Sequence, residues 1–150
     1  MEKHFELTDE TIEVAGKTLH RIRCTRDCKW AKTGDLGGFI EKEDNLSGNA
    51  WVSDNARVSG DARVSDNAWV SGDARVSGND DHCGFDVFGS IGRHTHAYRT
   101  SDGGVEITCG CFHGDIEAFE AKVRHTHGDS QYAREYLAIA HVIRVKFGLA

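Results

Sequence analysis

Residues 49–78 repeat with a period of six: NAWVSD, NARVSG, DARVSD, NAWVSG and DARVSG follow one another without an insertion. Val52, Val58, Val64, Val70 and Val76 share one phase, and Ala50, Ala56, Ala62, Ala68 and Ala74 sit two residues earlier. The aliphatic phase runs back through Leu46 and Ile40 and ends at His82. A period of six fits neither a helix, at 3.6, nor an uninterrupted strand, at 2. It fits a chain that runs a few residues as strand and then turns a corner. The corners would be Asp54-Asn55, Gly60-Asp61, Asp66-Asn67, Gly72-Asp73 and Gly78-Asn79, residue types that tolerate left-handed backbone angles. Three such sides make a coil of 18 residues, so the expected architecture is a short parallel β-helix. A disordered low-complexity tract is excluded, because every hexad keeps an inward apolar residue.

An 18-residue coil predicts which residues stack. Trp69 would lie over Trp51 and Arg75 over Arg57, while Arg63 shares the third side with Asn45 and Asp81. These residues flank the inward valine, so they are expected to point outward, giving an aromatic ladder on one side and an arginine ladder on another. Two stacked tryptophans in water are costly; either a partner or the C-terminal part of the same chain should cover them. From Ile40 to Val76 the helix completes little more than two coils, roughly 10 Å at ~4.8 Å per coil. Such a stub exposes strand edges at both ends and needs caps or assembly.

The flanks divide the chain into three expected regions: an N-terminal β-rich cap (1–36), the repeat (37–81) and a C-terminal α+β domain (82–150). Residues 11–14 and 18–23 alternate about Ala15-Gly16-Lys17 and read as a hairpin. The stretch GDLGGF at 34–39 lacks the spacing of a phosphate loop and reads as a turn. Beyond the repeat, strands are expected over 85–88, 91–100 and 105–112. Asp115 and Ser130 then cap two helices whose apolar spacing is Ile116, Phe119, Val123 and Tyr132, Tyr136, Leu137, Ala140, Ile143, ending at Gly148. The fold class is therefore mainly β, with a ββαα C-terminal domain.

Composition narrows the function. With 18 Lys+Arg against 24 Asp+Glu the formal charge is −6, and nine acidic against four basic residues fall in 37–81. That argues against general nucleic-acid binding. No apolar run approaches a membrane span, and the first residues do not read as a secretory signal. Five cysteines, an odd number, are expected to be reduced thiols in a cytosol.

The hexads resemble those of the hexapeptide-repeat family. That resemblance implies a left-handed parallel β-helix and a homotrimer. GDLGGFIEKEDNLSGNAWVSDNA, at the start of the repeat, resembles a family of bacteriophage and prophage proteins. CGCFHGDIEAFEAKVRHTHGDSQYAREYL resembles a tail domain found in phage proteins. The implied setting is the cytoplasm of an infected bacterium; no catalytic residue comes with the resemblance.

Several constellations could carry chemistry. Hexapeptide acyltransferases use a histidine base, often with a loop extruded from the coil, whereas here the hexads run unbroken and the nearest histidines are His20 and His82. If the hairpin turns at Asp102-Gly103, His96 faces Cys109 and His94 faces Cys111. His94, His96, Cys109 and Cys111 would then share one face as a Cys2His2 zinc set. The same face would carry Tyr98, Val105 and Ile107, which reads as core, and no cofactor is the preferred expectation. Cys24 and Cys28 beside Arg21, Arg23, Arg26 and Lys29 read as a solvated basic loop in preference to an activated thiolate. The functional expectation is a non-enzymatic phage protein that antagonises a bacterial defence system, by blocking a protein such as a CRISPR effector or by sequestering a nucleotide signal. Trp51, Trp69, Arg57, Arg63 and Arg75 are the expected binding residues. An acyltransferase and a virion structural component are the alternatives.

Overall fold

The computed structural model describes residues 3–89 and 93–149. The protein is mainly β, with two helices at its C-terminal end. Strands β1 (Phe5–Val14) and β2 (Lys17–Cys24) form the expected hairpin. Its turn residues Ala15 and Gly16 take φ of 52° and 80°, the paired positive angles of a two-residue type I′ connection.

Strand β3 (Leu36–Ile40) pairs antiparallel with β2 and parallel with β5 (Arg57–Val58). GDLGGF is thus a turn only at Gly34, and Gly37 and Gly38 lie in a strand, contrary to the expected loop. These glycines are there for close approach. A Cβ on Gly37 would sit 2.5 Å from the Val52 carbonyl oxygen, and one on Gly38 would sit 2.5 Å from that of Ala56.

Within the hexads the chain pairs with itself in parallel at a constant offset of 18 residues. Strand β5 continues onto β7 (Arg75–Val76), aligning Arg57 with Arg75 and Val58 with Val76. Strands β4 (Trp51–Val52) and β6 (Trp69–Val70) align the tryptophans and their valines. A single parallel bridge joins Leu46 to Val64. Ile40, Leu46, Val52, Val58, Val64 and Val70, with all five repeat alanines, are fully buried in one cluster that also takes in Phe5, Ile22, Trp51 and Tyr98. Asn45, expected to point outward, is buried instead. Its side-chain amide donates to the Gly60 and Ala62 carbonyls, which satisfies it in the interior.

Both ends of this segment are closed by the flanks. At the first end, His4 Nε2 donates to the Ala50 carbonyl (2.7 Å) and Arg21 to that of Gly37. At the other end Thr108 Oγ1 donates to the Trp69 carbonyl (2.6 Å), Ser71 N–H donates to the Tyr98 hydroxyl, and Ala74 bridges Thr100 antiparallel. These bonds satisfy some of the strand-edge groups at each end from within the chain.

The C-terminal part is a four-stranded antiparallel sheet of β8 (His82–Phe88), β9 (Arg93–Arg99), β10 (Val105–Cys109) and β11 (Phe112–Gly114), in the order β11-β10-β9-β8. The strand expected over 91–100 has Ile91 outside the described residues; its described part begins at Arg93. The expected return strand over 105–112 is broken at Gly110, whose φ of 59° turns the chain into β11. Helices α1 (Ile116–His127) and α2 (Gln131–Phe147) begin at the expected caps. Asp115 and Ser130 accept from the N–H groups of Ala118 and Ala133, and Gly148 closes α2 in the left-handed conformation. The helices bury Phe119, Val123, Tyr136, Ile139 and Ile143 against Ala97 and Ile107 of the sheet, a second cluster of its own. Arg144 of α2 joins α1 through Glu120 and holds that carboxyl below its usual range.

Candidate binding faces and a buried histidine row

The two tryptophans stack in register, but not in solvent. Trp51 is 2% exposed and the His4 ring lies 6.0 Å away. Trp69 is half-buried. Trp30 stacks on it at 5.1 Å and 16°, His113 meets its edge, and its Nε1 donates to Ser53 Oγ. The expected outward aromatic ladder is therefore an internal seam. Large apolar rings gain most from leaving water, and here a loop from the N-terminal region and β11 provide the cover. Trp30 is anchored by its Nε1 donating to the Asn67 carbonyl. Trp30→Ala should lower stability by about 1–3 kcal/mol and open Trp69 to water. A lower urea midpoint with red-shifted tryptophan emission is the expected result; unchanged emission would mean that Trp30 is not the cover.

The arginine side differs. Arg21, Phe39, Arg57 and Arg75 occupy successive strands of one five-stranded sheet, in register across it. The Arg21 guanidinium lies 4.3 Å from the centre of the Phe39 ring and pairs with Glu10. Arg57 and Arg75 are half-buried, and among the described residues neither has a carboxylate within salt-bridge distance. Arg75 Nη1 donates to the carbonyls of Asn55 and Ala74. Partial burial, and then the charge of Arg57, lower the pKa of Arg75. Two like charges held one strand apart favour an anion that bridges them. Arg63 is not part of this column. It is exposed and lines a separate groove with Lys42, Asp44 and Asp61, where charges of both signs mix.

The zinc set expected from sequence does not assemble. Thr95 pairs with Cys109 and His96 with Thr108, one residue out of the expected register. Thr100 N–H bonds to the Gly104 carbonyl, and Gly103 takes φ of 85°, so the loop has three residues centred on Asp102 instead of two. A slip of one residue exchanges the faces of a strand. Cys109 consequently faces the helices, Cys111 is exposed in the turn after β10, and His94 and His96 face the repeat.

The histidines that turn toward the repeat form a row the sequence did not disclose. His82 Nδ1 lies 2.9 Å from His96 Nε2, and His96 Nδ1 lies 3.0 Å from His94 Nε2. All three are buried, and a Cβ on Gly84 would come within 2.7 Å of His96 Nδ1, so glycine leaves the space they occupy. Burial lowers their pKa values, His96 furthest, because His82 and His94 add to its desolvation. Beside them Tyr98 donates to Glu106 Oε2 at 2.6 Å and receives Ser71 N–H. Burial first, and then that carboxylate, hold its phenol well above the usual range.

Two other features bear on chemistry. Burial raises the pKa of Cys24, whose thiol donates to the Arg26 carbonyl, the opposite of thiolate activation. An open cavity of about 240 Å³ lies between β10–β11 and the helices, walled by Phe112, Phe119 and Tyr136 with Arg93 and Lys122 beside them. Its walls come from separate stretches of chain, so no local motif announces it. No protein-family model matches the chain, and no curated protein sequence matches it.

Proposed function

We propose that the chain is a non-enzymatic binding protein built on a short hexapeptide-repeat β-helix, with the Arg57–Arg75 column as its docking face. The constant 18-residue offset on all three ladders supports the β-helix reading. The observation that carries the binding reading is the pair of arginines aligned across β5 and β7, half-buried and without a carboxylate partner among the described residues. Such a pair accepts phosphate or carboxylate groups spaced by one strand. Taken with the resemblance of the hexads and of the C-terminal stretch to phage proteins, this makes the chain a phage antagonist of bacterial defence, acting in the host cytoplasm. Its target is an acidic patch on a defence protein or a nucleotide signal. Self-association as a trimer belongs to the same proposal, and light scattering giving a mass near 16.5 kDa would remove it.

The test is phage plating on bacteria that carry either a CRISPR or a nucleotide-signalling defence. Expression of the protein should restore plating in one of the two. Arg57→Ala with Arg75→Ala should abolish the restoration while the melting temperature stays within a few degrees. Failure in both hosts would overturn the proposal, and acetyl-CoA turnover by the purified protein would favour acyl transfer instead.

A further inference from the structure

The end of the histidine row meets two carboxylates. Asp66, at a corner of the repeat with φ of 60°, and Asp86, on β8, each place an oxygen near His94 of β9, and the three side-chain ligand atoms lie within 4.8 Å of one another. His94 is 8% exposed, and its Nδ1 is buried with no hydrogen-bond partner. Asp86 Oδ1 is 3.4 Å away, within ion-pair distance of the ring but outside hydrogen-bonding geometry. A buried ring nitrogen without a partner is costly. In the tautomer that leaves Nδ1 unprotonated the cost is larger, because carboxylates then stand close to its lone pair. Lys29 contributes positive charge nearby, but among the described residues it makes no ion pair with either aspartate.

We propose that Asp66, Asp86 and His94 form a site for a divalent transition-metal ion, zinc by preference, that fastens the C-terminal sheet to the repeat. An imidazole nitrogen with two carboxylate oxygens is a donor set that zinc accepts at about 2.0–2.2 Å. In a tetrahedral site, ligands at that distance from the ion are about 3.3–3.6 Å from one another; His94 Nδ1 and Asp86 Oδ1, 3.4 Å apart, already meet this, and rotation of the exposed Asp66 side chain closes the set. The row behind the site fits the same purpose. With Nδ1 on the metal, His94 carries its proton on Nε2 and donates it to His96 Nδ1. His96 in turn donates from Nε2 to His82 Nδ1. Every nitrogen between the metal and His82 Nδ1 then has one defined role, the outer-shell arrangement that orients a metal-bound histidine. The three ligands come from three segments, so the ion would act as a cross-link, and its binding energy would add to folding. This inference does not depend on the arginine face.

The test is zinc titration of chelator-stripped, full-length protein, followed by calorimetry and thermal melting. One equivalent per chain should bind, and zinc at a hundredfold excess over its Kd should raise the melting temperature by about 5–10 °C. Asp66→Asn suits the corner as well as aspartate does, since asparagine also tolerates left-handed angles, so the variant should fold. It and Asp86→Asn should each bind zinc at least about tenfold more weakly, a loss of 1.4 kcal/mol or more. Cys111→Ser should bind as the parent does. No saturable binding at about 100 µM zinc, a weak limit on the affinity scale, would overturn the proposal. So would parental affinity in both aspartate variants, or loss of the site in Cys111→Ser.

Discussion

Val64→Asp is expected to abolish or nearly abolish the folded state. Val64 is 0% exposed and bridges Leu46 in the middle of the aliphatic stack. It lies in an apolar cluster made chiefly of valines and alanines, which cannot pair a carboxylate. Ionised, the new group would be an unpaired buried charge; protonated, it would still lack hydrogen-bond partners. The cost is about 4–5 kcal/mol, a large part of the stability of a chain this size. At roughly 2–4 °C per kcal/mol, melting followed by circular dichroism should fall by about 10–15 °C or show no transition at all. Arg63→Asp, one residue away on the exposed surface, should melt within a few degrees of the parent. Equal effects of the two changes would mean that the hexad phase has been assigned to the wrong side.

Gly37→Ala should also be strongly destabilising, though less so, for a different reason. The added methyl would meet the Val52 carbonyl oxygen at 2.5 Å, Ile22 Cγ1 at 2.7 Å and Trp51 Cζ2 at 2.7 Å. The first of these is backbone in a parallel ladder and cannot rotate away. Strand β3 and the β4 segment would have to separate, which disturbs the seam between Phe5, Ile22 and Trp51. Overpacking of this kind costs about 1–3 kcal/mol, occasionally more, and the rigid contact places it at the upper end. A glycine in an open turn is the control. Gly103 has nothing within 4 Å of its added Cβ, so Gly103→Asn should be mild despite its φ of 85°. Similar losses from both substitutions would argue against close approach as the role of Gly37.

Val64 belongs to the part of the molecule that could be read from sequence; Gly37, expected in a turn and found in β3, does not. Period six identified which residues are buried, because each hexad repeats one inward valine and one inward alanine under the same local constraint. Asp115, Ser130 and Gly148 were legible for a similar reason: a cap acts on backbone groups within four residues of itself. What was misread depended on distant chain or on a single residue of register. The cover over Trp51 and Trp69 comes from His4, Trp30 and His113, residues tens of positions away. The zinc expectation failed at one loop. Asp102 Oδ1 accepts from Thr100 Oγ1 and from Gly104 N–H, which stabilises a three-residue connection where two residues had been counted. That single residue moved His94 and His96 to the opposite face and left Cys109 behind. The histidine row itself joins residues 82, 94 and 96 through a β8–β9 pairing whose register shifts between Phe85 and Phe88, so alternation along one strand does not reveal it.

The 18-residue offset also limits how such a chain can change length. Three hexads carry a residue to the position one strand spacing further along its own ladder, a step of about 4.8 Å. Duplicating residues 55–72 would therefore lift the C-terminal sheet by one step and return every contact to the same ladder. Thr108 would again meet a tryptophan carbonyl, and Asp86 and His94 would again meet an aspartate corner. Duplicating a single hexad would instead deliver the sheet to a neighbouring ladder, where an arginine stands in place of Trp69. Viable insertions and deletions in this segment should come in multiples of eighteen, and lengths that differ by six or twelve should be selected against even though each hexad alone looks interchangeable.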